Sequence, residues 1–511
     1  MKPVAVGIVA EPAGDILRID GPPSPECIVA VARGAQIALA ETACARVARG
    51  RRIVEAVSEQ GIRGYGINTG VGAFSDVIID RSRQRALSRN ILLSHACGLG
   101  DPLGRPETRA VMAAEIASFA SGASGVRLEV VDGLVALLNA DILPVIPSRG
   151  SVGYLTHAAA IGLVLIGQGE AIAGGERISG AQSLARIGFA PLVLEAKEGL
   201  SLVNGTPCST GLACLALVRF AELLDWADAA AAMTYENLGA QAGVFDAVTL
   251  SLRRSNGLQT VGQRLRRLLD ASPLLRRRTG SRTQDPLSLR AIPQIHGAAR
   301  DVLASARVVV ESELGSVTDN PSIGGTPDAP QVRSQAHAVA AALGLALDAL
   351  AVAAAEVAAI SERRIDRLVN PLVSGLPAFL APEEGVFSGF MIAQYSAAAL
   401  VAENHRLSMP ASLGGGITSA LQEDMLTHAT PAATKLLSIL DNLRDILVIE
   451  LLAAAQAYDL QPGVELAPGT EALRARIRAF VPAYADDRPL NRDITMLTSL
   501  LSTPAFAEDT A

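Results

Sequence analysis

Four stretches of this chain hold groups that could do chemistry. Tyr65 lies within Gly64-Tyr-Gly-Ile-Asn-Thr-Gly-Val-Gly72, and glycines on both sides let its phenol approach other backbone closely. His95 follows Asn90-Ile-Leu-Leu-Ser94 on a mostly apolar helical pattern. By itself it is either a hydrogen-bonded core histidine or a contact for a bound group. Asn204, in Leu202-Val-Asn-Gly-Thr206, is an amide among apolar neighbours, so it is either satisfied by hydrogen bonds or used in function. The fourth stretch offers backbone. Ile146-Pro-Ser-Arg-Gly-Ser-Val-Gly-Tyr-Leu-Thr-His157 has closely spaced glycines at Gly150 and Gly153 and leads into an apolar helix candidate ending near Ile166. A tight glycine loop feeding a buried helix either aims N–H groups at a negative substrate group or is a plain structural turn.

Other chemistries have little support. The six histidines show no zinc-like spacing with each other or with cysteine, so no metal is expected. Cys27, Cys44, Cys97, Cys208 and Cys214 are odd in number and include no Cys-x-x-Cys pair, which fits reduced thiols in a cytoplasmic protein. The net charge of −7 argues against a nucleic-acid surface. The one basic cluster (Arg264, Arg266, Arg267, Arg276, Arg277, Arg278 and Arg282) reads as a solvated loop or helix face. No basic flank precedes an apolar run at the start of the chain, so no signal peptide is expected. The run Ala338–Ile360 is long enough to span a bilayer, but Asp348 and Glu356 interrupt it, so a buried helix of a soluble bundle is the better reading. No membrane or nucleic-acid partner is expected.

The elements that must position these groups are helical. Half of the 511 residues are hydrophobic and only 3% aromatic, with alanine and leucine dominant, which predicts a mainly α protein packed by small side chains. Apolar periodicity predicts helices over Pro25–Gln60, Leu212–Gly243, Ala298–Gly315, Val332–Leu368, Gly389–Leu407 and Ala432–Ala457. Residues 1–24 read as extended. The domain expectation is an active-site region with glycine loops at 1–200, a long-helix bundle at 201–465 and a small helical segment at 466–511.

Taken together, the loops resemble the aromatic amino-acid lyase family, and the histidine ammonia-lyases most closely. The resemblance runs from about Gly61 to Leu500. Its motifs are Tyr65-Gly-Ile-Asn-Thr-Gly-Val-Gly, Ser94-His-Ala, Gly150-Ser-Val-Gly, Leu202-Val-Asn-Gly-Thr and Gln284-Asp-Pro-Leu-Ser-Leu-Arg, followed by Val317-Thr-Asp-Asn-Pro, Ser361-Glu-Arg-Arg, Ser388-Gly-Phe-Met-Ile-Ala-Gln and Thr418-Ser-Ala-Leu-Gln-Glu. The family implies a long-helix homotetramer in which each active site draws on more than one subunit. Its reaction removes an amine and a β-proton from an aromatic amino acid, leaving an α,β-unsaturated acid. An electrophile called MIO, formed by cyclisation of an internal Ala-Ser-Gly, captures the amine.

That triplet should follow Gly153, and here Tyr154 follows directly. The family usually has Asp where Tyr154 stands, Tyr where Leu287 stands, and Asn at positions 315 and 421, which are Gly315 and Leu421 here. These departures cluster around the missing electrophile. By resemblance, Gly150, Ser151 and Gly153 mark the prosthetic-group loop and Tyr65 is the base for the β-proton. Ser94 and His95 contact an imidazole, and Arg290 clamps the carboxylate, a role suited to its planar fork. Asn204 orients the carboxylate or amine, Gln284 and Gln294 line the site, and Glu423 accepts a proton or pairs with a cationic substrate. Tyr154 and Tyr395 are candidates to face a cation.

The function these residues imply is a carbon–nitrogen lyase that eliminates ammonia or trimethylamine from a histidine-type amino acid or betaine, giving a urocanate-type product without MIO. This is similar to what ergothionases, prosthetic-group-free relatives of the ammonia-lyases, do. Two alternatives stay open. One is an ordinary MIO-dependent histidine ammonia-lyase, if the mature chain carries the triplet. The other is a catalytically silent binding relative.

Overall fold

The computed structural model describes residues 16–153 and 155–501. The chain forms two compact units, each gathered from three separate stretches. Unit one comprises Met1–Leu215, Val309–Gly344 and Ser412–Pro431, and unit two comprises Ala216–Val308, Leu345–Ala411 and Ala432–Ala511. The sequence-based division into 1–200, 201–465 and 466–511 runs consecutively, whereas these units interleave.

Unit one carries the short strands. Leu17–Ile19 pairs in parallel with Ile37–Leu39, and Ile142–Pro144, Glu170–Ala173 and Glu176–Ser179 form a three-stranded antiparallel sheet. Leu99–Pro102 pairs with Pro147–Arg149, and Ser322–Thr326 with Ala329–Arg333. Two helix expectations are corrected here. Pro25–Gln60 is two helices, Pro25–Arg33 and Glu41–Glu59, because Gly34 stops the first at φ +126° and Ile37 and Ala38 turn into a strand. The helix expected from Val332 starts at Ala341, because Val332 pairs with Ile323 in a hairpin. Hydrophobic residues at those positions fit a helix period and a half-buried strand equally well.

Unit two is the long-helix bundle. The larger parts of Pro207–Asn237, Ile292–Leu314, Ala341–Val369 and Ala429–Asp459 supply most of it, joined by Met391–Leu407, Pro468–Phe480 and Leu490–Leu501. Many of their buried residues are alanine. Ala227, Ala229–Ala232, Ala351, Ala354, Ala358, Ala453–Ala455 and Ala457 are fully buried, and such small side chains let helices approach closely. Among the described residues two helices, Pro207–Asn237 and Ala341–Val369, are long and apolar enough to cross a membrane, but their apolar windows are 78% and 67% buried inside the protein. Asp348, which interrupts the second, pairs with Lys435 at 2.5 Å.

Two buried carboxylates tie the bundle together. Glu450 accepts hydrogen bonds from Thr234 Oγ1 at 2.8 Å, Ser361 Oγ at 2.6 Å, and Arg364 Nε and Nη2 at 2.6 and 2.9 Å. Asp228 faces His296 Nδ1 at 2.8 Å, Arg264 Nε at 3.1 Å and Arg300 Nη2 at 2.6 Å. The second cluster corrects the reading of the basic stretch as a solvated face. Arg264 is drawn inward to neutralise Asp228, and its side chain is only 13% exposed. Arg276, Arg277 and Arg278 do lie on the outside, in the last turn of Pro273–Arg278.

Candidate active site

Unit one gathers most of the residues singled out by sequence. The glycine loop carrying Tyr65 packs on the short helix Glu198–Ser201, where a Cβ on Gly66 would meet Leu200 Cδ2 at 2.2 Å. That helix lies against Gln84–His95, since a Cβ on Gly199 would strike the Ser88 carbonyl oxygen at 2.0 Å. The pairing of Leu99–Pro102 with Pro147–Arg149 brings Gly150 beside the residues that follow His95, 3.4 Å from the Leu99 nitrogen when a Cβ is built. Tyr65, Ser94, His95, the Gly150–Gly153 loop and Asn204 therefore lie on neighbouring elements.

The Tyr65 hydroxyl accepts a hydrogen bond from the Gly72 N–H at 2.8 Å. Burial pushes its pKa up, the Gly72 N–H opposes that, and the nearby charge of Glu423 raises it further. Glu423 is thus close enough to act on the phenol electrostatically. Its loop joins the tyrosine loop through Ser419, whose Oγ accepts from the Ala73 N–H at 3.1 Å. Thr418 and Glu423 pair across this loop, and Ser419, Ala420 and Leu421 between them all have positive φ, +52°, +48° and +76°. A left-handed non-glycine residue costs about 1–2 kcal/mol, so the loop holds strain beside the phenol. Asn tolerates this conformation better than Leu, which makes Leu421 a costly occupant of a position where the resemblance expects Asn.

His95 ends its helix with Nδ1 2.7 Å from the Ile91 carbonyl oxygen. A carbonyl can only accept, so the proton sits on Nδ1 and Nε2 carries a lone pair. Burial holds the pKa of His95 down and so favours the neutral ring, an effect the Ile91 bond partly offsets. The exposed Ser94 stands 3.2 Å from His95 Nδ1. A neutral Nε2 can accept a hydrogen bond from the N–H of another imidazole.

Asn204 is fully engaged. Its Nδ2 donates to Asn320 O at 2.6 Å and Asp319 Oδ1 at 3.3 Å, and its Oδ1 accepts from the Gly205 N–H at 2.9 Å. Only the second lone pair of Oδ1 is left for a ligand. Beneath it lies a residue that sequence reading missed. Lys197 is completely buried, has φ +73°, and places Nζ 2.7 Å from Asp319 Oδ2 and 2.8 Å from Ser201 Oγ. Burial lowers its pKa and Asp319 opposes the change. The pair joins residues 122 positions apart, a distance over which no local pattern could announce it.

The glycine loop is well held. Gly150 and Gly153 have φ +95° and +79°, Thr430 Oγ1 donates to the Gly153 carbonyl at 2.8 Å, and Ser151 Oγ accepts from the Thr156 N–H at 3.4 Å. A Cβ on Gly153 would meet nothing within 4 Å among the described residues. The chain supplies no Ala-Ser-Gly after Gly153, so these residues do not fit an MIO group at this point. The chain has two such triplets, Ala120–Gly122 and Ala123–Gly125, but both are committed to packing. The Ala120 carbonyl accepts from Arg46 Nε at 3.1 Å and that of Ala123 from the Ile323 N–H at 2.8 Å. Tyr154 lies outside the described residues.

Unit two holds the remaining candidates. With the Gln284 amide oriented by its hydrogen bonds, its oxygen accepts from Arg290 Nε at 3.1 Å and Nη2 at 2.7 Å. Arg290 and Gln294 line a cavity of about 200 Å3 with Val244, Thr249, Leu250, Arg253 and Leu258. Leu287, on the same short helix as Arg290, is 63% exposed. Tyr395 is 67% exposed on Met391–Leu407 and is not among the residues lining that cavity. No cluster of three or more possible metal ligands occurs among the described residues.

The profile of the aromatic amino acid lyase family matches residues 24–479. A histidine ammonia-lyase of Symbiobacterium thermophilum is 46% identical over 478 residues, covering 93% of this chain and 94% of the relative. The crystal structure of histidine ammonia-lyase from Trypanosoma cruzi superposes with a TM-score of 0.90 at 34% identity, covering 97% of this chain and 95% of its own. Ergothionase from Treponema denticola, an ergothioneine-degrading enzyme solved in complex with desmethyl-ergothioneine sulfonic acid, superposes with a TM-score of 0.88 at 27% identity. That match covers 95% of this chain and 98% of its own.

Proposed function

This chain belongs to the aromatic amino acid lyase family, and from that premise we propose that it is a carbon–nitrogen lyase that eliminates an amine from a histidine-type substrate without MIO. The observation that carries the proposal is that Gly153 runs directly into Tyr154 in a chain that keeps the Tyr65 phenol, a neutral His95 and Arg290. A free amine is a poor leaving group and needs an electrophile to capture it. A quaternary ammonium has no lone pair to offer an electrophile and leaves as a neutral amine unaided. The preferred substrates are therefore histidine betaines such as hercynine or its thiol relative ergothioneine, and the likeness to an ergothioneine-degrading enzyme supports this. The high identity to histidine ammonia-lyases favours a second reading, ammonia release from L-histidine.

In the proposed reaction, Arg290 grips the carboxylate with the part of its fork that Gln284 leaves available, and His95 Nε2 accepts from the substrate ring. Asn204 Oδ1 and Gln294 complete the polar lining. The Tyr65 phenolate takes the β-proton, the C–H electron pair becomes the Cα=Cβ bond, and the C–N pair departs with trimethylamine. The products are a urocanate-type acid, the neutral amine and a protonated phenol. Glu423 faces the cation, and Tyr154 and Tyr395 are the aromatic candidates to share it, each ring contributing roughly 0.5–2 kcal/mol. In the homotetramer that the family implies, each site draws on more than one subunit, so these groups need not come from one chain. The free thiols support a cytoplasmic setting. Incubation with hercynine and with ergothioneine should release trimethylamine together with an ultraviolet-absorbing urocanate-type acid. Silence with both ends the proposal.

A further inference from the structure

We infer that Arg253 is a second anion-contacting residue of the Arg290 cavity, so that the carboxylate of the bound ligand is shared between two guanidinium groups. The inference deepens the lyase reading and rests on it for the identity of that carboxylate. Both arginines line the same cavity of about 200 Å3. The rest of the lining is neutral: Thr249 and Gln294 are polar, Val244, Leu250 and Leu258 apolar, and none is acidic. Elsewhere in unit two, several arginines meet carboxylates, while Arg266 bonds the Phe245 carbonyl and Arg367 the Ser288 hydroxyl. Arg264 and Arg300 reach Asp225 and Asp228, Arg364 reaches Glu450, and Arg474 and Arg478 reach Asp459. Among the described residues Arg290 has only the neutral Gln284 amide as side-chain partner, and the Arg253 side chain has none.

Arg253 is exposed and Arg290 half-buried, so water screens their mutual repulsion, and an anion entering the cavity meets two guanidinium groups and no competing carboxylate. The surrounding structure fixes where Arg253 stands. Its carbonyl accepts from Ser255 N at 3.1 Å, and Ser255 Oγ caps the helix Asn256–Leu268 and donates to Asp301 at 2.6 Å. The backbone of Arg253 is therefore anchored while its guanidinium stays available.

The test is equilibrium binding of two plain anions, malonate and acetate, to the full-length protein by calorimetry at neutral pH. With two guanidiniums available, malonate should bind about tenfold more tightly than acetate, a dianion gaining a second charge-assisted contact. Arg253→Gln should lower malonate affinity about tenfold and remove the preference, while Arg253→Lys, which keeps the charge without the fork, recovers part of it. Melting temperatures of the variants show whether the fold is retained. Wild-type malonate affinity in Arg253→Gln, or equal binding of the two anions by the wild type, overturns the assignment. Malonate preference that depends on Arg253 in a protein inert toward every histidine-type substrate supports the assignment and sinks the enzymatic reading alone.

Discussion

Tyr65→Phe lowers turnover of the betaine substrate by about 10²–10⁴-fold, the range expected when a positioned proton-transfer group is removed. The affinity for substrate changes little, because the ring that packs in the glycine loop remains and only the hydroxyl is lost. Stability falls by about 1 kcal/mol, since the Gly72 N–H that donates to the phenol at 2.8 Å loses one acceptor. The pH dependence identifies the role. Burial and Glu423 hold the phenol above its ordinary pKa, so in the free enzyme the phenolate is scarce near neutrality and kcat/KM rises with pH. A bound quaternary cation favours the phenolate, so the corresponding limb of kcat lies at lower pH. Glu423→Gln removes a negative charge from beside the phenol and moves the kcat/KM limb down in pH. A flat profile, or a Tyr65→Phe protein as active as the wild type, removes Tyr65 from the base role.

The largest effect on stability is expected at the buried ion pair of the bundle. Arg364→Met destabilises the protein by about 3–5 kcal/mol, because Glu450, fully buried, is left charged with only Thr234 and Ser361 to hold it. The loss comes from the stranded charge more than from the vanished contact. A second change, Glu450→Leu in the same protein, should therefore restore part of the melting temperature, although it removes yet another polar group. The opposite ordering, a double variant melting well below Arg364→Met alone, shows that the carboxylate is held mainly by its hydroxyl partners. Thermal melting of the three variants beside the wild type decides between these outcomes.

The fold was legible where helices are long and alanine-rich. Leu212–Gly243 and Ala432–Ala457, read from apolar periodicity, lie within a few residues of the observed Pro207–Asn237 and Ala429–Asp459. Short strands were not legible, since Ile37, Ala38 and Val332 carry the same hydrophobic signal in a strand of three or five residues as in a helix. The candidate site was legible as loops, because Gly66, Gly150, Gly153 and Gly205 adopt positive φ that glycine alone takes without cost. What those loops rest on was hidden. Lys197 and Asp319 meet through space, and the cost of burying them appears only once both are seen at 0% and 2% exposure. Arg264 looked like one more solvated cation until Asp228 was seen beneath it. Arg253 carried no motif, and only the shape of the cavity brings it to Arg290.

The intact mass of the purified protein bears most directly on a lyase that works without MIO. The expected value, with or without the first methionine, is that of the unmodified 511-residue chain. A mass greater by one Ala-Ser-Gly less two waters, or a chain of this sequence two waters lighter, would show an electrophile in place and contradict it.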